Sequence, residues 1–594
     1  MKWVTKPLNR FKSLTNAVVR YPVTQVFLLA ATVIVFVSIN GEKQYGKQLL
    51  ACAVGSLLCA SFQGLYERFF SKEVTRFILM GCGVIVTLGY FLILRSAPEL
   101  SMEIGIRTAV AILALFFAFI WVPVIKSSIS FNESFMAVFK AFFHSVLYST
   151  VLFGGCCLVI SAINMLIFKV NYNAYSHTAN IVFVLFAPIF FLSLIPIYPG
   201  ENSKDTDLEK MVLQEEIIKR ATFCPKFLEI LISYIIIPLT GVFTLILMIY
   251  IVRNILGQFW SNNLLEPMLV SYAITVILIY ILSSGLENKF AVLFRRFFPK
   301  LLVPIVLFQI AASVISIREM GVTHTRYFAI LFGIFAVCSG IVMSLLPVKK
   351  NGIIAAMLIG FSVVSIIPPI DAFSVSRLSQ ERTLKAVLTK NDMLNNNTIT
   401  PNGSISNEDK KVIVSVVEYL SRMGYGNKIG LLPENFSHYE NFYDTFGFYE
   451  YDVPEKNYYS INVFLSSNVP VDVAGNDVLV HTYINYQENT VAKICDIENM
   501  GNNYSLERTM SGEKYDITLR NDNNNELIRF DTNEIFSRYS NYDVDKGEIS
   551  NEEAIFYTES DDAKLTFVVQ HASINNYGDK TQYDADVYIL VKFK

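Results

Sequence analysis

Charged residues are scarce in this sequence. They make up 17% of the 594 residues, whereas apolar residues make up 53%. Soluble proteins of ordinary composition carry about 25% charged residues. The mean hydropathy here is positive, at +0.42. The shortage of charge excludes an ordinary soluble globular protein and favours a chain that is largely embedded in lipid.

Cysteine is rare after residue 371, and recognisable catalytic motifs are missing from the whole chain. Cys495 is the only cysteine in that part, so a domain there cannot close an internal disulfide. His438, His481 and His571 are scattered, with no HExxH or CxxC pattern, no phosphate-binding loop and no GxSxG turn. These absences favour a non-enzymatic protein, predict no metal or cofactor, and leave any catalytic residue unknown.

Strongly apolar runs fill the first 370 residues and predict membrane-spanning helices. Most approach the roughly 20 residues that a helix needs to cross hydrocarbon, where backbone polar groups must be paired within the helix. The run 301–316 is short, and the long run 142–168 is expected to contain an interfacial turn. The eleven runs are 23–40, 48–65, 77–94, 108–125, 142–168, 178–198, 227–252, 267–284, 301–316, 327–346 and 352–370.

The pattern changes after the last apolar run. Residues from Asp371 onward carry 35 acidic and 20 basic side chains, a net charge of −15, while the first 370 residues carry +13. Such asymmetry suggests two environments. Residues 374–394 and a segment that starts at Ser406 have helical spacing, and alternating β-branched and aromatic residues begin near 458. The predicted strands are Ser460–Leu465, Val478–Asn485, Tyr515–Arg520, Leu527–Phe530, Leu565–His571 and Asp586–Phe593.

The predicted fold is therefore an α-helical polytopic membrane bundle of about 11 spans with a C-terminal soluble α+β domain. We expect three parts: a transmembrane domain over 1–371, a helical juxtamembrane segment over 372–426, and an extracytoplasmic β-rich domain over 427–594. The N-terminal apolar run reads as a retained membrane anchor, since no clear cleavage site follows it. Residues 205–226 mix apolar and charged side chains as an interfacial amphipathic helix does.

Basic residues in the connections predict the orientation of the bundle. One alternating set of connections holds 21 Lys and Arg residues, and the other set holds eight. The positive-inside rule places the basic set and the N-terminus in the cytoplasm. Eleven crossings then leave the C-terminal domain outside the cell membrane.

Few polar residues are predicted to lie deep in the membrane. His144, Asn164 and Gln309 are the deeper ones, and we expect each to hydrogen-bond between helices, with a lining role in a solute path as the alternative. Coupled transporters usually need acidic residues or broken helices near the midplane. Arg107 and Arg253 lie near predicted outer ends, where long side chains extend to the interface. The carboxylates on the outer side that a membrane enzyme would need are Glu99, Glu103, Glu266 and Glu319.

Four segments of the chain match motifs of a known family. Residues 234–254 read YIIIPLTGVFTLILMIYIVRN, 296–306 read RFFPKLLVPIV, 318–327 read REMGVTHTRY and 371–394 read DAFSVSRLSQERTLKAVLTKNDML. Together they resemble the bacterial membrane family called domain of unknown function 4153 (DUF4153). Its members pair a multi-span region with a tail that starts in a Ser-x-x-Ser-Gln helix, here residues 376–380. Met320 departs from the pattern, which tends to have an aromatic residue there. The resemblance implies a fold but no activity and no site residues.

Two classes of function stay open. In the first, the chain is a non-enzymatic protein of the bacterial cell envelope, and its external domain binds or senses an envelope glycan or a partner protein. In the second, the bundle itself transports a solute or handles a lipid-linked substrate. A membrane glycosyltransferase or polymerase is a third, less favoured class. The expected partners are the lipid bilayer and that envelope component, with no nucleic acid.

The predicted orientation can be tested by cysteine labelling in a cysteine-free background. Cysteines at Ser404 and Asn525 should react with a membrane-impermeant thiol reagent in intact cells, because both lie in the predicted external part. A cysteine at Ser203 should react only after the cells are broken. Labelling of Ser203 alone in intact cells would invert the orientation.

Overall fold

The computed structural model forms two compact units. One is built from Met1–Thr400 and Val412–Asn441, and the other from Pro401–Lys411 and Phe442–Lys594. The residues that the structure describes are 14–41, 43, 45–97, 100–200, 208–254, 265–396, 398–433, 436–438, 441–450, 458–466, 468–485, 492–511, 514–540, 542, 547–577 and 581–594.

The first unit is a bundle of apolar helices. Among the described residues, ten helical segments are long and apolar enough to cross a membrane, and one more is apolar but shorter. Each of the eleven predicted runs falls on one of these helices, so the predicted multi-span bundle is confirmed. The helices are α1 (Pro22–Asn40), α2 (Gly46–Phe69), α3 (Glu73–Ser96), α4 (Met102–Trp121), α5 (Phe131–Leu166), α6 (Asn173–Ser193), α7 (Leu208–Thr222), α8 (226–254), α9 (Leu265–Leu282), α10 (Lys289–Met320), α11 (His324–Leu345) and α12 (Gly352–Ile366).

Two spans differ in length from their apolar runs. The run 301–316 is short, but α10 contains it, extends beyond it on both sides and has 32 residues in total; the shorter apolar helix is α9. The run 142–168 is helical as far as Leu166, because α5 is continuous over 36 residues, and a turn follows at Ile167. No proline interrupts α5, and a capping box between Ser130 and Glu133 fixes its start.

Two helices contain π-helical stretches that precede a proline. Asn180–Phe186 in α6 is followed by Pro188, and Leu231–Ile236 in α8 is followed by Pro238. A proline inside a helix has no N–H to donate and its ring pushes on the carbonyl of the preceding turn. The wider π-turns relieve that crowding and keep both helices continuous through the proline.

The juxtamembrane part of the chain is helical, as predicted. Helix α13 (Ala372–Lys390) and helix α14 (Asn407–Arg422) flank a short hairpin of strands β1 (Leu394–Asn395) and β2 (Thr398–Ile399). The Ser406 hydroxyl accepts a hydrogen bond from the Asp409 N–H and caps α14. Gly424, with a positive φ of 66°, follows the end of that helix.

The second unit is β-rich, again as predicted. Its strands are β3 (Tyr458–Leu465), β4 (Val478–Asn485), β5 (Ala492–Asn499), β6 (Asn502–Ser511), β7 (Lys514–Asn521), β8 (Glu526–Asp531), β9 (Gly547–Ile549), β10 (Ile555–Glu559), β11 (Ala563–Tyr577) and β12 (Thr581–Phe593). Strands β4, β12, β11, β3 and β9 form one sheet in that order, with β10 paired to β11, and β5, β6, β7 and β8 form a four-stranded meander. Both sheets contribute to one apolar core.

A stacked aromatic pair joins the two sheets. The rings of Phe530 on β8 and Phe567 on β11 lie 4.1 Å apart between centroids, and both side chains are fully buried. Such pairs add about 1 kcal/mol beyond the area that they bury. All six predicted strands are present, and β5, β6, β9 and β10 were not predicted.

Candidate functional site

The helix ends on the predicted outer side meet around one arginine. Arg107 on α4 donates from its Nε to Glu103 Oε1 at 3.0 Å and from a terminal nitrogen to Asp371 Oδ1 at 2.6 Å. It also donates to the Ile366 carbonyl at the end of α12 and lies 4.9 Å from the centre of the Phe373 ring. One side chain therefore joins α4, the end of α12 and the start of α13.

Asp371 has two roles in this arrangement. Its carboxylate is fully buried, pairs with Arg107 and accepts the N–H groups of Phe373 at 2.9 Å and Ser374 at 3.1 Å as the N-cap of α13. Burial alone would raise the pKa of Asp371, but these hydrogen bonds and the Arg107 guanidinium outweigh it, and the pKa lies below its usual range. The carboxylate is therefore ionised at neutral pH.

A tyrosine beyond α14 completes the network. The Tyr425 hydroxyl donates to Glu103 Oε2 at 3.1 Å, and the whole side chain is buried. Burial and the neighbouring Glu103 carboxylate raise the pKa of Tyr425, so the phenol stays protonated and remains a donor. We call Glu103, Arg107, Asp371, Phe373 and Tyr425 the Arg107 cluster.

The motif around Gly321 contacts the helix that starts the tail. Gln380 Nε2 donates to the Met320 carbonyl at 2.9 Å and to the Val322 carbonyl at 3.2 Å, and the Val322 N–H donates to the Ser379 hydroxyl at 2.9 Å. Gly321 ends α10 with a φ of +72°. A Cβ at this position would lie 2.7 Å from Thr383 Oγ1 and 2.9 Å from Gln380 Nε2. Only glycine fits both the backbone conformation and the space.

A histidine and a tyrosine connect the start of α11 to α14. The His324 N–H donates to the Tyr419 hydroxyl at 3.1 Å, and the His324 Nδ1 lies 3.1 Å from the same oxygen. The imidazole also stacks on Phe373, with 5.7 Å between ring centroids. The Thr323 hydroxyl caps α11. Residues 372–422 are thus held to the bundle at three separate places.

These helix ends line an open cavity of about 720 Å³, a volume within the range of ligand sites. Ile106, Pro267, Val270, Phe328 and Phe332 supply apolar walls. Polar groups lie among them, and the Glu266 carboxylate accepts a hydrogen bond from the Ser313 hydroxyl. We call this space the outer cavity. Its polar and charged lining residues are Glu266, Thr323, His324, Thr325, Arg326, Gln380 and Ser415.

The structure separates the residues that the sequence singled out. Of the outer carboxylates, Glu103 belongs to the Arg107 cluster and Glu266 lines the outer cavity, while Glu99 and the Glu319 side chain lie outside the described residues. Gln309 is buried and donates to the Ala329 carbonyl of α11 at 3.1 Å, so its predicted role between helices is confirmed.

The same prediction is wrong for His144 and Asn164. His144 is exposed, and its Nδ1 lies 2.6 Å from the Lys140 carbonyl one turn earlier in the same helix. Asn164 Oδ1 accepts the Val170 N–H from the loop after its own helix, at 2.8 Å. Each side chain makes its hydrogen bond within its own helix or to the loop that follows it, which sequence spacing alone does not reveal. Within the described part of the chain, no three His, Cys, Asp or Glu side chains are placed to hold a metal ion.

Sequence reasoning missed the centre of the site. It placed Arg107 at the interface as a single extended side chain, whereas the structure pairs it with Asp371, 264 residues later. A local signal existed, because Glu103 and Arg107 have the i,i+4 spacing of a helical ion pair. Asp371 also stands directly before a helical pattern, where an N-cap belongs.

Comparison with known proteins gives one match. A family model described as "Domain of unknown function (DUF4153)" matches residues 23–396, which is more than half of the chain. The match includes every residue of the Arg107 cluster except Tyr425. No curated protein matches the chain, and no solved structure matches it.

Replacing Asp371 by alanine should destabilise the protein strongly. The substitution removes the buried partner of Arg107 and a helix cap at once, and we expect the free energy of unfolding to fall by about 3 kcal/mol. Thermal unfolding of the full chain in detergent measures the change. Glu216→Ala is the matched control, because it removes an exposed ion pair with Arg220 and should cost less than about 1 kcal/mol.

The pH dependence of that difference tests the ionised state of Asp371. The folded pKa lies below the unfolded value of about 3.9. The stabilisation is therefore complete above the unfolded pKa and is lost as the pH falls through the folded pKa. The gap between wild type and Asp371→Ala should stay constant from about pH 5 to pH 8. A gap that closes within that range would contradict the assignment.

Gly321→Ala should destabilise the protein, whereas Gly105→Ala should not. At Gly321 the new Cβ would lie within 3 Å of side chains of α13, and alanine would have to adopt the left-handed backbone conformation of the glycine. We expect the free energy of unfolding to fall by roughly 1–2 kcal/mol or more. Gly105 lies in α4, and apart from its chain neighbours and the backbone of its own helix no described atom lies within 4 Å of the position that an alanine Cβ would take there. Alanine at that position should therefore stabilise the helix by up to about 1 kcal/mol. Unfolding midpoints that shift in the same direction would count against the tight contact at Gly321.

Proposed function

The chain belongs to the DUF4153 family, and from that premise we propose that it is a non-enzymatic membrane protein that binds and senses an amphiphilic component of the cell envelope. The bundle is a multi-pass membrane domain. In this proposal the amphiphilic ligand binds in the outer cavity. The C-terminal β-rich domain faces the outside of the cell, where it binds an envelope glycan or a partner protein.

The composition of the outer cavity carries this proposal. Its apolar walls come from α4, α9 and α11, and its polar groups gather at the ends of those helices and on α13 and α14. An apolar pocket with a few convergent polar groups is the usual form of a small-molecule site. At the end of a membrane bundle, that combination suits a molecule with a hydrocarbon part and a polar head, such as a lipid or a lipid-linked glycan.

The walls of the cavity also suit a sensor. Gln380 on α13 and Ser415 on α14 line it together with residues of the membrane helices. Both helices belong to the segment that continues along the chain into the β-rich unit. A ligand that fits one arrangement of these walls better than another would shift the population of that arrangement. We therefore propose that residues 372–426 transmit occupancy of the cavity.

Proton-coupled transport is less favoured by the structure. His144, one of the residues that were predicted to lie deep in the membrane, lies on an exposed face with a contact to its own helix. Handling of a lipid-linked substrate remains the second candidate, because the outer cavity would hold such a molecule equally well. The two functions differ in whether the molecule stays bound or crosses the bilayer.

The proposal predicts that filling the outer cavity removes a bound amphiphile. Val270 lines the outer cavity, so Val270→Trp places a large ring inside it. Val252→Trp is the control, because it places the same ring on an exposed face of α8. Native mass spectrometry of the full chain, purified in mild detergent, should detect a co-purifying lipid in wild type and in Val252→Trp. We expect at least a tenfold loss in Val270→Trp.

The identity and movement of that lipid decide between the two candidates. Retention that is equal in all three proteins, or that is absent from wild type, would overturn the proposed binding site. Hydrogen exchange in residues 372–426 that slows when the lipid is added back would support sensing. Transfer of the same lipid across reconstituted vesicles, lost in Val270→Trp, would support the second candidate instead.

A further inference from the structure

Four span ends meet at the end of the bundle opposite the Arg107 cluster. The span Met102–Val124 ends there, α5 begins at Phe131, α11 ends at Leu345 and α12 begins at Gly352. The connections between them line an open pocket of about 350 Å³. By the charge rule above, this end faces the cytoplasm.

The pocket is basic and rich in hydroxyl groups. Lys126, Lys349 and Lys350 line it together with Ser127, Ser128 and Ser130. The neighbouring acid Glu133 is already engaged, because its Oε2 accepts the Ser130 N–H at 2.7 Å and the Ser130 hydroxyl at 2.6 Å. Within the described part of the chain, no carboxylate lies within ion-pair distance of the three lysines. We call this site the lysine pocket.

Buried hydrogen bonds fix the two loops that carry these lysines. Arg68 donates to the Ile125 carbonyl at 2.7 Å and to the Lys126 carbonyl at 2.6 Å. On the other side, Asn132 Nδ2 donates to the Val348 carbonyl at 3.0 Å, and Asn351 Nδ2 donates to Asn132 Oδ1 at 3.1 Å. Arg68, Asn132 and Asn351 are all buried. The loops are therefore held in place without using the lysine side chains.

The remaining walls of the pocket are apolar. Trp121, Ile125, Ile129, Phe131 and Ile353 line it beside the lysines. A free phosphate ion gains nothing from apolar walls, whereas the glycerol and upper acyl chains of a lipid do. Tryptophan is also typical of the membrane–water interface. The N-termini of α5 and α12 add positive potential at the same place.

From this juxtaposition we propose that the lysine pocket binds the phosphate headgroup of an anionic phospholipid of the inner leaflet. The three ammonium groups surround the phosphate, the Ser127 and Ser128 hydroxyls supply further donors, and the apolar wall contacts the glycerol and upper acyl chains. Basic pockets between membrane helices on the cytoplasmic side are known to hold such headgroups. The site is distinct from the outer cavity and does not depend on the function proposed for it.

Removal of the three lysines should abolish the preference for anionic lipid. The variant is Lys126→Gln, Lys349→Gln and Lys350→Gln combined, and its matched control combines Lys72→Gln, Lys289→Gln and Lys300→Gln. The control removes the same charge from exposed lysines on the same predicted side. Native mass spectrometry of the full chain, released from nanodiscs of phosphatidylcholine and phosphatidylglycerol, measures which lipid is retained.

Wild type and control should retain phosphatidylglycerol preferentially. The pocket variant should lose that preference by on the order of a hundredfold, because each lysine that contacts the headgroup contributes about fivefold, whereas the control lysines do not line the pocket. An equal loss in both variants would show a general effect of surface charge and overturn the site. Displacement of the lipid by inorganic phosphate at comparable concentration would also overturn it in favour of a free-anion site. Size-exclusion profiles that match wild type establish that the variants are folded.

Discussion

Burial of the Asp371 carboxylate beside Arg107 is the constraint on which the start of the tail depends. A buried charge needs a partner and hydrogen bonds, and Asp371 obtains them from Arg107 and from two N–H groups of α13. The same carboxylate thus sets where α13 begins and where it lies against α4. The contacts of Ser379 and Gln380 with the Gly321 loop follow from that placement.

Arginine side chains join separate segments at both ends of the bundle. At the predicted outer end, Arg107 joins carboxylates from separate helices and a carbonyl that ends α12. At the opposite end, Arg68 donates only to backbone carbonyls, among them that of Pro199 at 2.8 Å, while Arg20 pairs with Glu67 at 2.7 Å. Arginine is used for these buried structural contacts at both ends, and lysine is left at the surface. That division follows from the planar guanidinium, which can satisfy several acceptors at once.

Much of the fold could be predicted from the sequence, because hydrophobicity and alternation are local signals. The apolar runs located every membrane helix, and β-branched segments located β3, β4, β7, β8, β11 and β12. Strands β5 and β6 carry many Asn and charged residues, for example in NNYSLERTMS, and so lacked the apolar alternation of the others. The site was largely unpredictable for a different reason. A pairing such as that of Arg107 with Asp371 depends on which helix faces which, and spacing along the chain does not report it. For the same reason, spacing along the chain could not show that Gln309 hydrogen-bonds to a neighbouring helix whereas His144 bonds within its own helix.

The unbroken length of α5 has a consequence for the surrounding lipid. Its apolar part, residues 142–166, extends over about 38 Å at about 1.5 Å per residue, whereas the hydrocarbon core is about 30 Å thick. The C-terminal turns of the helix are also exposed rather than packed, as Leu158, Met165 and Leu166 show. Such a helix must tilt, or the bilayer beside it must thicken. The orientation of α5 should therefore respond to membrane thickness, and the protein should favour the thicker of two coexisting bilayers.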